Sequence, residues 1–138
     1  MTTARDLMTS PAECLAPDET LVDAARMFSK YDVGSMPVVD ENNTLVGVIT
    51  DRDIIIEGVS KNLDLSDTKV SKIMSTKVVT VEVTDDALVV AKVLADNQIR
   101  RVPVMDGHKV VGVVSQADVA LELDNAVAGE VLEDISKD

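Results

Sequence analysis

The sequence predicts an α/β chain of the α+β type, built as two tandem β-α-β-β-α repeats packed sheet to sheet with pseudo-twofold symmetry. Three observations predict it. Laid against itself with Met8 on Met74, the chain also sets Ala25 on Ala91, Pro37 on Pro103, Val38 on Val104 and Asp40 on Asp106. After one deletion in the turn that follows, "LVGVITDRDI" falls on "VVGVVSQADV". Within each copy the apolar pattern switches from helical spacing to short β-branched runs bounded by turn residues. Finally, a three-stranded unit of about 60 residues with one covered face buries too little surface to stand alone, so two such units must share it.

The elements follow in chain order. Each copy opens on a short charged segment, Thr3 to Met8 and Val70 to Met74, that leads to a brief strand at Glu13–Ala16 and Val78–Val83. "PDET" at 17–20 and "VTDD" at 83–86 read as helix starts, with Asp18 or Thr84 as cap and carboxylates near the positive end of the helix dipole. The apolar stripes of the helices that follow are expected at Leu21, Ala24, Ala25 and Phe28, and at Leu88, Ala91 and Ala95. Two β-rich runs around a polar turn come next, "MPVVD" and "TLVGVIT" about "ENN", then "VPVMD" and "KVVGVVS" about "GH". Thr50 and Ser115 cap a second helix in each copy. The expected boundaries are 1–58 for the first repeat, 59–69 for a polar linker, 70–124 for the second repeat, and 125–138 for an acidic tail with a peripheral amphipathic helix.

Composition excludes several functions. The chain has 138 residues, 46% of them apolar, and a net charge of −12. That acidity opposes a nucleic-acid partner, because binding by counterion release needs a basic face. The charge is unevenly placed: residues 1–58 hold eleven acids against four bases, 122–138 six against one, and 59–121 eight against eight. No apolar run approaches the roughly 18 residues of a membrane span, and "MTTARDLM" is not a secretory start, so a cytoplasmic protein with no membrane partner is expected. Cys14 is the single cysteine and has no disulfide or zinc partner in kind, and His108 sits in a turn with no second histidine, so no metal or cofactor is expected. No nucleophile elbow, P-loop or cysteine-histidine pairing is present, which points away from an enzyme.

With that order, spacing and duplication in place, "MPVVD…LVGVITDRDI" followed by "VPVMD…VVGVVSQADV" resembles a tandem pair of CBS domains, the Bateman module, across residues 3–123. "MTTARDLM" and "RRVPV" are also similar to the stand-alone pairs of the hypoxic response protein type. The resemblance implies a regulatory module that binds AMP, ADP, ATP, NAD or S-adenosylmethionine in interdomain clefts. It implies that the aspartate of the hydroxyl-x-x-aspartate phrase meets the ribose hydroxyls while the hydroxyl residue sits near ribose or phosphate. Those roles fall on Asp53 with Thr50 and on Asp118 with Ser115. The chemistry is sound: a carboxylate accepts two hydrogen bonds and a ribose offers two adjacent donors, with helix-start N–H groups beneath for a phosphate. A basic residue before the proline strand often meets the phosphates in the family, which places Arg100 and Arg101 here, with Arg52 as a further positive contact.

The same phrases have a plainer reading. A hydroxyl residue followed three positions later by an acid is a capping box, which needs no ligand, and one residue can do both jobs. Gly47 and Gly112 read as close-approach positions over which a nucleotide could lie. With Phe28 and Tyr31 the only aromatics, an adenine must sit on aliphatic side chains such as Met36, Val79 or Val102. Ile54, Ile55 and Ile56 with Val119, Ala120 and Leu121 make the second helices apolar nearly all round, and the family pairs through these helices, so a homodimer is expected. The competing function is a ligand-free protein-protein interaction and dimerisation module, which an unidentified regulated protein would read.

Overall fold

The computed structural model describes residues 1–124, so the tail at 125–138 lies outside the described residues. The first long helix, α2 (Leu21–Tyr31), follows a short α1 (Ala4–Leu7). Thr20, not Asp18, is its cap. The hydroxyl of Thr20 accepts from the Asp23 N–H at 3.1 Å and the Asp23 carboxylate accepts from the Thr20 N–H at 3.0 Å, a reciprocal box that removes two orphan donors. The Thr20 N–H, and after it the Thr20 hydroxyl, hold the Asp23 carboxyl below the usual carboxylate range. The buried stripe is Leu21, Ala24 and Phe28, and Ala25 faces solvent.

In the second copy Asp86, not Thr84, caps the equivalent α5 (Ala87–Asp96), accepting from the Val89 N–H at 3.0 Å. Its buried stripe is Ala87, Val90 and Leu94, one position before the expected one at each step, while Leu88 stands 68% exposed. α5 is apolar on its exposed face as well, at Leu88 and Val89, so spacing within the helix does not single out the face that is buried.

Strands β1 (Ser35–Val39) and β2 (Leu45–Thr50) pair antiparallel with Met36 opposite Ile49 and Val38 opposite Gly47, and an irregularity falls between Val38 and Val39. The expected strand Glu13–Ala16 shrinks to a single parallel bridge between Leu15 and Val38. In the second copy a two-residue β3 (Val81–Glu82) runs parallel to β4 (Arg101–Asp106), and β5 (Lys109–Ser115) completes the order β3-β4-β5. Leu15 against Val38 and Val81 against Val104 are the same contact, made once in each copy. Beyond β2 the chain makes one helical turn, α3 (Asp51–Asp53), and widens into a π-helix over Ile54–Val59. Residues 116–124 are helical after β5 and form α6.

The compact units are interleaved in sequence. One gathers residues 12–78 with 107–110, the other 1–11, 79–106 and 111–124. Sequence repeat and folded unit therefore partition the chain differently, and hydrogen bonds show why. In the 12–78 unit the end of the polar linker and the residue that follows it serve the start of α2: the Leu21 N–H donates to the Thr68 carbonyl at 3.0 Å, and the Val70 N–H donates to Glu19 O at 2.7 Å. In the other unit the Ala87 N–H donates to Thr2 O at 3.0 Å and the Ala4 N–H to Asp85 O at 2.7 Å. Each bond of the second set joins the repeat equivalents of the residues joined in the first. A helix start leaves orphan N–H groups, and here each helix finds its acceptor in the opening of the other copy.

The linker is accordingly built into its unit. Leu65 packs on the core of Leu15, Leu21, Val38 and Ile49, its carbonyl accepts from the Val22 N–H at 3.2 Å, and Thr68 is buried. The segments α4 (Val70–Ile73) and α1 then run on to bridge Ser75 with Val48 and Thr9 with Val113.

Candidate functional site

The two repeated phrases are matched in geometry. At the end of β2, Thr50 is extended and turns the chain into α3. Its hydroxyl accepts from the Asp53 N–H at 3.0 Å, and Asp53 Oδ2 accepts from the Thr50 N–H at 3.0 Å. At the end of β5, Ser115 Oγ accepts from the Asp118 N–H at 3.1 Å, and Asp118 Oδ2 accepts from the Ser115 N–H at 3.0 Å. The capping box is thus present at both places. In each it engages one carboxylate oxygen, Oδ2, and leaves Oδ1 outside the cap on a half-buried side chain.

The expectation of free helix-start N–H groups fails in the first copy. There the Asp51 N–H donates to Gly34 O at 2.9 Å, the Arg52 N–H to Asp51 Oδ1 at 2.7 Å, and the Asp53 N–H to Thr50. In the second copy the Gln116 N–H donates to Arg100 O at 2.7 Å and the Asp118 N–H to Ser115. Arg52, Arg100 and Arg101 are all exposed, and Arg101 is the first residue of β4.

The aliphatic residues expected to carry an adenine divide. Met36, 2% exposed, packs in the core of the 12–78 unit, and Val102, 0% exposed, packs in the core around Val90, Val104 and Val114, whereas Val79 is half-buried at the edge of that second core. Gly47 and Gly112 do mark close approaches, but by the protein's own chain. A Cβ at Gly47 would stand 2.9 Å from Ser75 O and 2.7 Å from Met74 Sδ, and one at Gly112 would stand 2.9 Å from Thr9 O and 2.5 Å from Met8 Sδ. Burial, with the nearby Glu13 charge second, pushes the Cys14 thiol up to about 11, which removes it as a nucleophile at neutral pH. His108 is exposed in its turn, and among the described residues no group of three or more His, Cys, Asp or Glu could hold a metal ion. No helix among them is long and apolar enough to cross a membrane.

Sequence reasoning overlooked one pair, Gly34 and Asp51. A Cβ at Gly34 would lie 3.0 Å from Asp51 Oδ2, so glycine there makes room for the carboxylate. The signal was available, because the equivalent positions in the second copy are Arg100 and Gln116: both members of the pair differ together.

Two copies of one α+β unit, each ending its last strand in a hydroxyl-x-x-aspartate cap, define a tandem-repeat module. The CBS domain profile matches residues 4–59 and 70–125. The chain belongs to the CBS domain family. It is 35% identical over 123 residues to Hypoxic response protein 1 of Mycobacterium tuberculosis, covering 89% of this chain and 86% of that one. The crystal structure of Hypoxic Response Protein I with two coordinated zinc ions superposes with a TM-score of 0.80 at 34% identity, covering 86% of this chain and 97% of that one. CBSX2 in complex with AMP gives 0.78 at 26% identity, and the CBS pair of MJ0100 in complex with 5′-methylthioadenosine and S-adenosyl-L-methionine gives 0.78 at 27%; each covers 91% of this chain and 98% of the other.

Proposed function

We propose that this chain is a non-catalytic regulatory module that binds adenosine-containing ligands, AMP, ADP or ATP foremost and NAD or S-adenosylmethionine by the same ribose, at the Thr50–Asp53 and Ser115–Asp118 phrases. The observation that carries the reading is the unshared carboxylate oxygen. In both copies the cap fixes the carboxylate through Oδ2, and Oδ1 retains the capacity to accept from a ribose diol. A residue held rigid by one oxygen and open at the other is preorganised for a ligand. Ligand complexes of related CBS pairs with AMP and with S-adenosyl-L-methionine support the ligand class. Val79, half-buried where Met36 and Val102 are buried in cores, is assigned to the base, and the exposed Arg101 to the phosphates. The protein works as a homodimer in the cytoplasm, where its lone half-buried Cys14 stays reduced.

A thermal-shift panel of adenine nucleotides tests the reading. Ligand at a hundred times its dissociation constant adds about 2.7 kcal/mol to the folded state. No shift with any member of the panel favours the second reading, a ligand-free interaction module, to which the exposed Ile55, Ile56 and Leu121 lend support.

A further inference from the structure

The two phrases differ in charge where a ligand's 5′ substituent must pass. A ribose whose diol meets Asp53 carries its 5′ group within a sugar's length of that carboxylate, at the mouth of the same helix. Asp51 stands there. Its Oδ1 accepts from the Arg52 N–H at 2.7 Å, its Oδ2 fills the space left by the missing side chain of Gly34, and the ion pairs among the described residues, Arg5 with Asp106 and Lys61 with Glu57, leave it unneutralised. The N–H that could have received an anion is already taken by this carboxylate. At the second phrase the same two positions are Arg100 and Gln116, neighbouring Arg101, so carboxylate and glycine are replaced by amide and guanidinium.

We propose that Asp51 is a specificity-determining residue that makes the first phrase select adenosine ligands with a neutral or cationic 5′ group, such as a thioether or sulfonium, while the second phrase takes the phosphorylated ones. This rests on the adenosine-binding reading above. A phosphate brought within one sugar's length of this solvent-exposed carboxylate loses affinity on the order of tenfold at low ionic strength, where the like charges repel with little screening by salt. A neutral 5′ group does not feel that repulsion, and a sulfonium gains by the same interaction. Gly34 is the companion device: it lets the carboxylate lie over the turn.

Titration calorimetry of adenosine, 5′-methylthioadenosine and AMP tests it, in wild type and in an Asp118→Ala background that silences the second phrase. In that background adenosine and 5′-methylthioadenosine bind, AMP binds about tenfold more weakly, and adding Asp51→Asn brings AMP level with adenosine while adenosine itself is unmoved. Asparagine keeps an oxygen for the Arg52 N–H, so the fold is retained and a matching melting temperature verifies it. AMP binding as tightly as adenosine before Asp51 is changed, an equal gain for both ligands after it, or loss of all binding with Asp118→Ala each overturns the selectivity of the first phrase and leaves adenosine binding by the protein standing. Failure of all three ligands to bind wild type removes the adenosine-binding reading and this inference with it.

Discussion

Thr50 and Asp53 hold each other by two hydrogen bonds of 3.0 Å that run in opposite directions, and Ser115 and Asp118 repeat the arrangement in the second copy. The pairing separates two effects of one mutation. In Asp53→Ala and in Asp118→Ala, loss of the cap costs about 1 kcal/mol of stability. Loss of the ribose acceptor costs about 2 to 3 kcal/mol of nucleotide affinity. Urea denaturation and calorimetry measure the two separately, and a variant that melts early yet binds normally limits the carboxylate to capping.

Arg101→Ala weakens AMP, ADP and ATP more than Arg100→Ala does. Arg101 opens β4, whereas Arg100 lies in the bend before it with its carbonyl tied to the Gln116 N–H. Guanidinium loss at the phosphate removes two parallel donors. Unchanged affinity and an unchanged ranking of the three nucleotides would show that no phosphate is read at Arg101.

Gly47→Ala and Gly112→Ala each destabilise by about 1 to 3 kcal/mol, as overpacking does. The methionine ends can swing aside, but Ser75 O and Thr9 O at 2.9 Å belong to bridged backbone. Midpoints of chemical denaturation check this, and a wild-type midpoint for both variants refutes the close approach.

Cys14 reacts at least tenfold more slowly with iodoacetamide at pH 8 in the folded protein than in urea, since burial pushes its thiol from 9.0 up to about 11. The sign for stability follows. A raised pKa means that the fold favours the neutral thiol, so this contribution is complete below pH 9 and is lost as pH rises towards 11. The stability gap between wild type and Cys14→Ala should narrow over that window, and equal alkylation rates in the two states would contradict the burial.

Light scattering at micromolar concentration returns twice the chain mass of 14.8 kDa, and Ile55→Glu returns it to one. Ile55, 57% exposed, lies with the exposed Ile56 and Val59 on one short helix, an apolar face left open to solvent. A monomeric wild type, or a dimer untouched by the glutamate, rejects pairing through this face.

The fold class and both phrases were legible because duplication writes each signal twice. Boundaries were harder. Thr20 and Asp86 were passed over as caps because acids crowd the positions from 17 to 20 and 85 to 86, and capping depends on which residue first leaves helical backbone. The stripe of α5 was readable all the same: the register that sets Met8 on Met74 carries Leu21, Ala24 and Phe28 onto Ala87, Val90 and Leu94, the residues the core contains. Local spacing misled because α5 is apolar on several faces, Leu88 and Val89 included. Met36 and Val102 could not be told from ligand contacts, since burial depends on contacts far away in sequence. The exchange of openings between copies leaves no local mark at all.

That exchange bears on how the protein is made. Synthesis runs from the N-terminal side, yet Thr2, Ala4 and Thr9 have their partners at Ala87, Asp85 and Val113. The opening residues emerge long before the strand that receives them, whereas the matching segment at 68–75 finds α2 and β2 already synthesised. Residues 12–78 can pack together while translation continues, and the segment 1–11 must wait for 79–115, so two copies alike in design acquire different histories.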